Sequence, residues 1–346
     1  MIALGILDQS PIASGQTAAD AIRATIELAQ KAERLGYRRY WLAEHHSSAS
    51  LAGSTPEILI ARVAAATSSI RVGSGGVMLS HYSALKVAEN FRMLDTLFPN
   101  RIDLGIGRAP GSDRRTAQAL AHGPGALGIE HFGQQLRDLR DYLENDLPAD
   151  HPFAGIKAMP EGPGMPEIWL LGSSDQSAAY AAQMGFAFSF AQFINPQGGP
   201  AVMEAYREYF TPSPELATPR GSIGISVICG ETTAEAERLA SSIDLWRLRN
   251  ESGRPGPVPS PEEAAAHPYT QIERLRIQQN RGRAVVGNPD EVREKLTEIA
   301  ERYKVDEVMV VTICHEHAAR VRSYELLAEA FELGKSGAGE SRGSAG

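Results

Sequence analysis

Short apolar runs alternate along this chain with longer segments in which apolar residues recur every three or four positions. Unbroken apolar or β-branched runs predict strands, whereas the longer period predicts helices, as in Ala18–Leu35, which is followed by Gly36, a helix-ending signal. On this basis, strands are predicted at residues 2–7, 39–43, 71–79, 102–107, 168–171, 187–190, 223–228 and 307–312.

The regular alternation predicts the fold class. Strands separated by helices imply parallel pairing with right-handed crossovers. Eight such units in a chain of 346 residues predict a (β/α)8 TIM barrel, in which functional side chains gather at the carboxyl ends of the strands. A doubly wound sheet shares this alternation and is the alternative. Residues 1–333 are therefore predicted to form a single domain.

Two segments depart from the alternation. Residues 250–268 are rich in Pro, Gly, Ser and Glu and stand before the last strand–helix unit. An irregular segment of this length is typical of a lid or a binding loop, although a passive surface excursion would have the same composition. We expect residues 250–284 to form a mobile active-site insertion. The Gly/Ser-rich residues 334–346 are predicted to be a disordered tail.

Composition narrows the class of protein. The chain is 42% hydrophobic and 22% charged with a net charge of −8, which is typical of a soluble globular protein and argues against general nucleic-acid binding. Two cysteines, Cys229 and Cys314, are too few for a disulfide framework or a closed zinc site. Neither a signal peptide nor an apolar run of ~18 residues is visible. We expect a cytoplasmic protein without a metal, a membrane or a nucleic-acid partner.

Candidate chemistry begins after the second and third predicted strands. Glu44-His45-His46 follows the second strand, and alternation of side chains means that the two histidines do not face the same side. A neutral imidazole transfers protons near pH 7, so His45 is a candidate acid or base, although either ring could instead hold a loop. Gly75 and Gly76 in the third strand indicate either a bulge or a surface against which a flat ligand lies.

The ends of the fourth and fifth strands carry a possible phosphate site. A guanidinium binds phosphate through paired N–H donors, and a helix N-terminus with nearby hydroxyls attracts anions. The residues concerned are Gly107 and Arg108 after the fourth strand, and Leu171, Gly172, Ser173, Ser174 and Ser177 after the fifth. A surface ion pair for Arg108 and an ordinary N-cap for Ser174 remain open. Together these residues favour a flat phosphorylated cofactor such as FMN over a metal.

Several of these motifs occur together in one known family. The chain resembles the bacterial luciferase-like flavin-dependent monooxygenases in residues 40–46, 71–79, 101–108, 172–174 and 286–289, and the resemblance extends to about residue 333. It implies a (β/α)8 barrel that binds FMN, and it also implies a homodimer.

The resemblance assigns roles to individual residues. Arg108, Ser174 and Ser177 would hold the phosphate together with the backbone of Ser173, and His45 would be the catalytic histidine. The Gly75–Gly76 bond would be a non-prolyl cis peptide beneath the flavin ring. Reduced FMN would come from a separate reductase, and dioxygen would oxygenate a small organic substrate.

Two departures and two alternatives accompany the resemblance, and one departure is Ser173, which replaces an acidic residue of the family's phosphate turn. Gly107 stands where the luciferase alpha subunit has a reactive cysteine, so light emission is not expected. A deazaflavin-dependent hydride transferase of the same superfamily is one alternative, for which Arg114 and Arg115 would extend a basic rim. A non-catalytic flavin-binding protein is the other. Phe190, Phe193 and Tyr82 are candidates for an apolar substrate pocket or for the core.

Overall fold

The strands of the chain form a closed parallel barrel. The structure is a computed structural model that describes residues 2–108, 111, 113–120, 128–162 and 164–334. The strands are β1 (Ala3–Asp8), β2 (Arg39–Leu42), β3 (Arg71–Ser74), β4 (Val77–Met78), β5 (Ile102–Gly107), β6 (Glu167–Gly172), β7 (Ala187–Ala191), β8 (Gly221–Cys229), β9 (Ala284–Gly287) and β10 (Glu307–Val311). Their order is β10-β1-β2-β3-β5-β6-β7-β8-β9, and β10 also pairs with β8.

Closure decides between the two predicted architectures. Because β10 pairs in parallel with both β1 and β8, the sheet returns to its own first strand. β3 and β4 both pair with β5 and together fill one position of the wall. The eight-position (β/α)8 barrel is therefore confirmed, and the doubly wound sheet is excluded.

Helices connect the strands around the outside of the barrel. They are α1 (Ala18–Leu35), α2 (Pro56–Ala66), α3 (Ala84–Leu97), α4 (Arg114–Leu120), α5 (Phe132–Glu144), α6 (Asp175–Met184), α7 (Gly199–Glu208), α8 (Thr233–Glu251), α9 (Pro261–Ala266), α10 (Gln271–Arg281), α11 (Pro289–Tyr303) and α12 (His317–Ala330). α1 illustrates how the sequence sets these bounds. Thr17 and Asp20 form a capping box at its start, and Gly36 ends it with φ of 86°.

The segment between α8 and β9 differs from the expectation. Residues 250–268 were expected to lack secondary structure, but α8 continues to Glu251 and α9 lies within them, followed by α10. Their N-cap residues Ser260 and Thr270 each form a capping box, with Glu263 and Glu273 respectively, and this pattern is visible in the sequence. The segment also packs against the barrel. The backbone N–H of Val258, which is fully buried, donates to the carbonyl of Ile12 shortly after β1.

Two other differences concern short elements and the tail. The short helix α4 and the strand β9, which extends the pairing of β8 at its carboxyl end, were not predicted. The third predicted strand is interrupted at Gly75–Gly76. The predicted disordered tail lies outside the described residues except for Gly334.

Charged side chains close the floor of the barrel at the amino ends of its strands. Arg39 is fully buried, with its Nη1 2.7 Å from Asp103 Oδ2 and its Nε 2.5 Å from Glu307 Oε1. The indole N–H of Trp41 donates to Asp103 Oδ2 at 2.8 Å, and that of Trp169 donates to Glu167 Oε1 at 2.7 Å. The two indoles stack edge to face above this cluster, with ring centroids 5.3 Å apart. They leave the opposite end of the barrel open.

Candidate active site

A cavity of about 420 Å³ opens at the carboxyl ends of the barrel strands. All of the residues predicted to bind the cofactor line it: Gly75, Gly76, Gly107, Arg108, Leu171, Gly172, Ser173, Ser174 and Ser177. Other lining residues were not singled out, namely Leu7, Trp41, Met78, Ile129, Ser189, Ala191, Ile194, Gly224 and Met309, whereas Phe193 had been considered. The barrel therefore brings the predicted residues of three separate strands into one space.

The start of α6 forms one end of this cavity. Ser174 caps the helix, and its Oγ accepts a hydrogen bond from the N–H of Ser177 at 3.4 Å and lies 3.4 Å from the Ser177 hydroxyl. Arg108 Nη1 donates to the side-chain oxygen of Gln176 in the same turn. A guanidinium, two hydroxyls and the positive end of a helix thus meet at one place, and each of these groups stabilises an anion.

A glycine-lined wall forms the other side. The peptide bond between Gly75 and Gly76 is cis, as the resemblance implied. A Cβ added to Gly76 would lie 2.7 Å from the carbonyl oxygen of Gly105 and 2.9 Å from Leu171 Cδ1. A Cβ on Gly75 would lie 3.0 Å from Trp41 Cβ. Because only glycine fits here, the wall is free of side chains and can accept a flat ring.

The Glu44-His45-His46 sequence separates into a structural pair, Glu44 and His46, and a second imidazole, that of His45, in a different environment. Glu44 is fully buried, and its carboxylate lies 2.6 Å from His46 Nε2 and accepts hydrogen bonds from the Tyr82 hydroxyl at 2.8 Å and from the Met78 N–H at 2.9 Å. These contacts tie the end of β2 to the segment around β4. His46 therefore holds local structure, which was one of the alternatives open from the sequence.

Among the described residues, His45 forms no contact comparable to the Glu44–His46 pair. Its Nδ1 is buried and has no hydrogen-bond partner among the described residues. The ring is not among the residues that line the cavity. Burial, with a smaller contribution from His46, lowers the pKa of the imidazole to about 4. At neutral pH the ring is therefore uncharged and carries both a donor nitrogen and an acceptor nitrogen.

Three further observations bear on other classes of function. Within the described ranges, histidine, cysteine and acidic side chains form no group of three or more that could hold a metal ion. In the same part of the chain, no helix combines the length and apolarity needed to cross a membrane. Cys229 and Cys314 are free and buried, and burial raises the pKa of each thiol to about 12. Neither thiol is therefore a nucleophile near neutral pH.

Comparisons with known proteins agree with this geometry. The family model described as luciferase-like monooxygenase matches residues 2–306. A luciferase-like monooxygenase of Escherichia coli (strain K12) is 37% identical over 332 residues, covering 96% of this chain and 97% of that protein. The N-acetyl-S-alkylcysteine monooxygenase of Bacillus subtilis (strain 168) is 38% identical over 335 residues, covering 97% and 100%.

A solved structure extends the comparison to three dimensions. The crystal structure of apo-MsnO8 is 42% identical, covers 96% of this chain and 99% of its own, and superposes with a TM-score of 0.89. The family model spans β1 to β9, which include all of the strands that carry the predicted cofactor-binding residues. The chain belongs to the luciferase-like monooxygenase family and is a flavin-dependent oxidoreductase.

Proposed function

We propose that this chain is the oxygenase component of a two-component monooxygenase. It would take reduced FMN from a separate reductase and use dioxygen to oxygenate a small organic substrate. The observation that carries the proposal is a single cavity with an anion site at one end and a glycine wall at the other. Its volume of about 420 Å³ lies within the range of roughly 300–1,000 Å³ that is usual for small-molecule sites.

The residues present fit FMN. The phosphate of FMN would be held by the Arg108 guanidinium, by the hydroxyls of Ser174 and Ser177 and by the backbone of Ser173, all of which line the cavity. The ring would rest on the wall at Gly75–Gly76, where a Cβ would collide with neighbouring atoms. Reduced FMN would supply the electrons that activate dioxygen, which is chemistry that no side chain of the cavity can provide.

The remaining lining residues would control water and protons. Trp41, Phe193 and Met309 present apolar surface to the cavity, so a reacting group there is shielded from solvent. We assign His45 as the acid or base, acting at the buried and unpartnered Nδ1. Because the ring is not in the lining of the cavity as described, this role requires a ligand or a movement that brings the two together.

The distribution of charge favours FMN over a deazaflavin. The longer phosphorylated tail of the deazaflavin needs a larger basic rim, for which Arg114 and Arg115 were the candidates. Both lie on α4, are exposed and do not line the cavity. Arg108 is the one cation among the lining residues that the structure describes. The hydride-transfer alternative therefore has no support from the residues that would distinguish it.

Oxygen uptake tests the proposal. Purified chain is mixed with FMN, NADH and an NADH:FMN reductase, and oxygen consumption and the product are followed with an N-acetyl-S-alkylcysteine, the substrate class in the name of the 38% identical relative, as a first substrate. We expect tight binding of reduced FMN and a product containing oxygen. Preferred binding of the deazaflavin would refute FMN as the cofactor. Unchanged turnover in His45→Ala would show that His45 is not the acid or base. If the native chain binds flavin but does not consume oxygen, a non-catalytic flavin carrier would be favoured.

Cellular location and oligomeric state stay predictions. The expectations of a cytoplasmic homodimer derive from composition and from the resemblance. Sedimentation of the purified chain would decide whether it is a dimer.

A further inference from the structure

A second arginine, Arg247, lies on α8, the helix that follows β8. Arg247 of α8 borders a small void of about 10 Å³, which has room for roughly one water molecule. The void is lined by Ser226, Ile228, Ile243, Arg247, Arg281, Ala284, Val286, Val311 and Ile313. Most of these residues come from α8, β8, β9 and the end of β10, on the side of the barrel away from Arg108.

The small void lies further along two strands that also line the main cavity. Gly224 of β8 and Met309 of β10 line the main cavity, and Ser226 and Val311 stand two residues further along the same strands. Residues two apart in a strand point to the same face and lie about 6–7 Å apart. In the order of the barrel wall, β8 is four positions from β3, so Ser226, which Arg247 contacts, lies on the strand across the barrel from the glycine wall.

The contacts of Arg247 leave most of its donors unused. Its Nη2 donates to the Ser226 hydroxyl at 3.2 Å. Its Nη1 is buried and has no hydrogen-bond partner in the part of the chain that the structure describes. A guanidinium keeps its charge in proteins, so a buried N–H donor of this group without an acceptor is energetically costly.

The neighbouring carboxylates of Asp244 and Glu251 favour the charge of Arg247, but their hydrogen bonds go to other groups. Both oxygens of Asp244 accept from Arg281 Nε, at 3.0 and 2.9 Å. Glu251 accepts from Arg276 Nε at 2.6 Å and from Asn280 Nδ2 at 3.1 Å. Within the described residues, Arg247 Nη1 is therefore a buried donor without an acceptor, and it lies beside the small void.

We propose that Arg247, together with the Ser226 hydroxyl, binds a carboxylate of the substrate. The substrate would then be a small organic acid whose apolar part lies in the main cavity against Phe193 and Met309. The assignment rests on the proposed function, because it takes the main cavity as the site of oxygenation. A planar carboxylate can place one oxygen in a void of this size and still reach the serine, whereas a tetrahedral sulfonate is bulkier.

Matched acids and amides test the inference. Hexanoate and benzoate, and their uncharged amides, are titrated by calorimetry into the native chain with and without oxidised FMN. We expect each acid to bind about 10- to 100-fold more tightly than its amide, the factor expected for hydrogen bonds to a charged group. Arg247→Met should abolish the preference for the acid, and Arg247→Lys should keep part of it. Equal binding of acid and amide by the native chain, or no binding of either acid, would overturn the inference.

Controls separate this result from folding and from the flavin site. Arg249→Met changes another arginine of α8, one whose partner is Glu263 at 3.4 Å, and should keep the full preference for acids. If Arg247→Met does not fold, Ser226→Ala, which removes the one group that Arg247 contacts, should weaken acid binding and leave amide binding unchanged. A preference for acids that survives in Arg247→Met or in Ser226→Ala would also count against the inference. Failure of the native chain to bind FMN would refute the proposed function, whereas FMN binding without acid preference would refute only this inference.

Discussion

Replacing Arg108 by methionine isolates the contribution of one guanidinium to flavin binding. Arg108 lines the cavity, and in the described structure it contacts the first turn of α6 through Gln176. Methionine keeps an unbranched apolar stem of similar reach and removes the charge. We therefore expect a loss confined to ligands that carry the phosphate.

The size of the loss follows from the surroundings of the residue. Hydrogen bonds to a charged group contribute about 1.5–3 kcal/mol each. Arg108 is only partly buried, and in the variant water would replace part of the stabilisation that the guanidinium gives to the phosphate. We therefore take about 1.5–3 kcal/mol as the total contribution of Arg108 to FMN binding, and not as the contribution of each hydrogen bond. The dissociation constant of FMN should then rise about 10- to 100-fold in Arg108→Met. Gln176 uses one donor of the guanidinium and leaves four for a phosphate.

Riboflavin provides the decisive comparison, because it has the same ring and no phosphate. Fluorescence titrations of FMN and riboflavin with the native chain and with Arg108→Met give four dissociation constants. These form a thermodynamic cycle that isolates the interaction between Arg108 and the phosphate. The variant should weaken FMN and leave riboflavin within about twofold, which corresponds to less than about 0.5 kcal/mol. Arg137→Met, an exposed arginine on α5, is the matched control. Equal weakening of both ligands, or no change for FMN, would refute the assignment of Arg108 to the phosphate.

Three further predictions concern the wall, the histidine and the floor. Gly76→Ala forces a Cβ to within 2.7 Å of the Gly105 carbonyl oxygen, so thermal melts should show a loss of about 1–3 kcal/mol, and a stable variant with unchanged FMN affinity would contradict the close packing. The folded-state pKa of His45, near 4, lies below its unfolded value of about 6.5, so the folded chain should lose stability as the pH falls between these values, by about 1–2 kcal/mol at about pH 5. Urea unfolding of the native chain against His45→Asn measures this loss, and identical pH profiles would contradict it. Arg39→Met leaves Glu307 buried without its partner and should cost about 3–5 kcal/mol of unfolding free energy, while FMN affinity of the folded variant stays unchanged; a loss below about 1 kcal/mol would contradict a structural role.

The anion end of the cavity was predictable because its residues are close together in the sequence. Leu171 to Ser177 form one strand end, one turn and one helix start, so their placement follows from local rules for capping and helix termini. The placement of Arg108 beside them was predictable because the carboxyl ends of adjacent parallel strands lie at the same edge of a sheet. In a (β/α)8 barrel this holds for every strand and does not depend on how individual side chains pack.

The apolar side was not predictable in the same way. Met309, Gly224 and Trp41 line the cavity through the register of strands that are far apart in the sequence. Each stands within a strand, where an apolar or glycine residue has no feature that distinguishes a cavity-lining position from the core. The register of β8 against β10, and of β1 against β2, determines which of these residues line the cavity and which lie in the core.

The segment after α8 shows where composition was a poor guide. Its Pro, Gly and Ser content favoured an irregular loop, yet the serine and threonine were N-caps of α9 and α10, each followed three residues later by a glutamate. The error hid the environment of Arg247, which only becomes informative once α10 is known to occupy the nearby acidic side chains. Movement of this segment during turnover stays a prediction.

The net charge of the chain and the position of its arginines determine how an anionic ligand would be attracted. With a net charge of −8, the chain as a whole repels anions, so long-range attraction cannot explain the binding of a phosphorylated cofactor or a carboxylate. The buried Arg39 does not help, because Asp103 and Glu307 pair with it at the floor. We therefore expect any anion binding to come from short-range contacts, at Arg108 for the phosphate and at Arg247 for the proposed carboxylate. Contacts of this kind are partly shielded from salt, so acid and FMN affinities should fall only modestly between low and physiological ionic strength, and a steep fall would indicate that the anions bind on the surface instead.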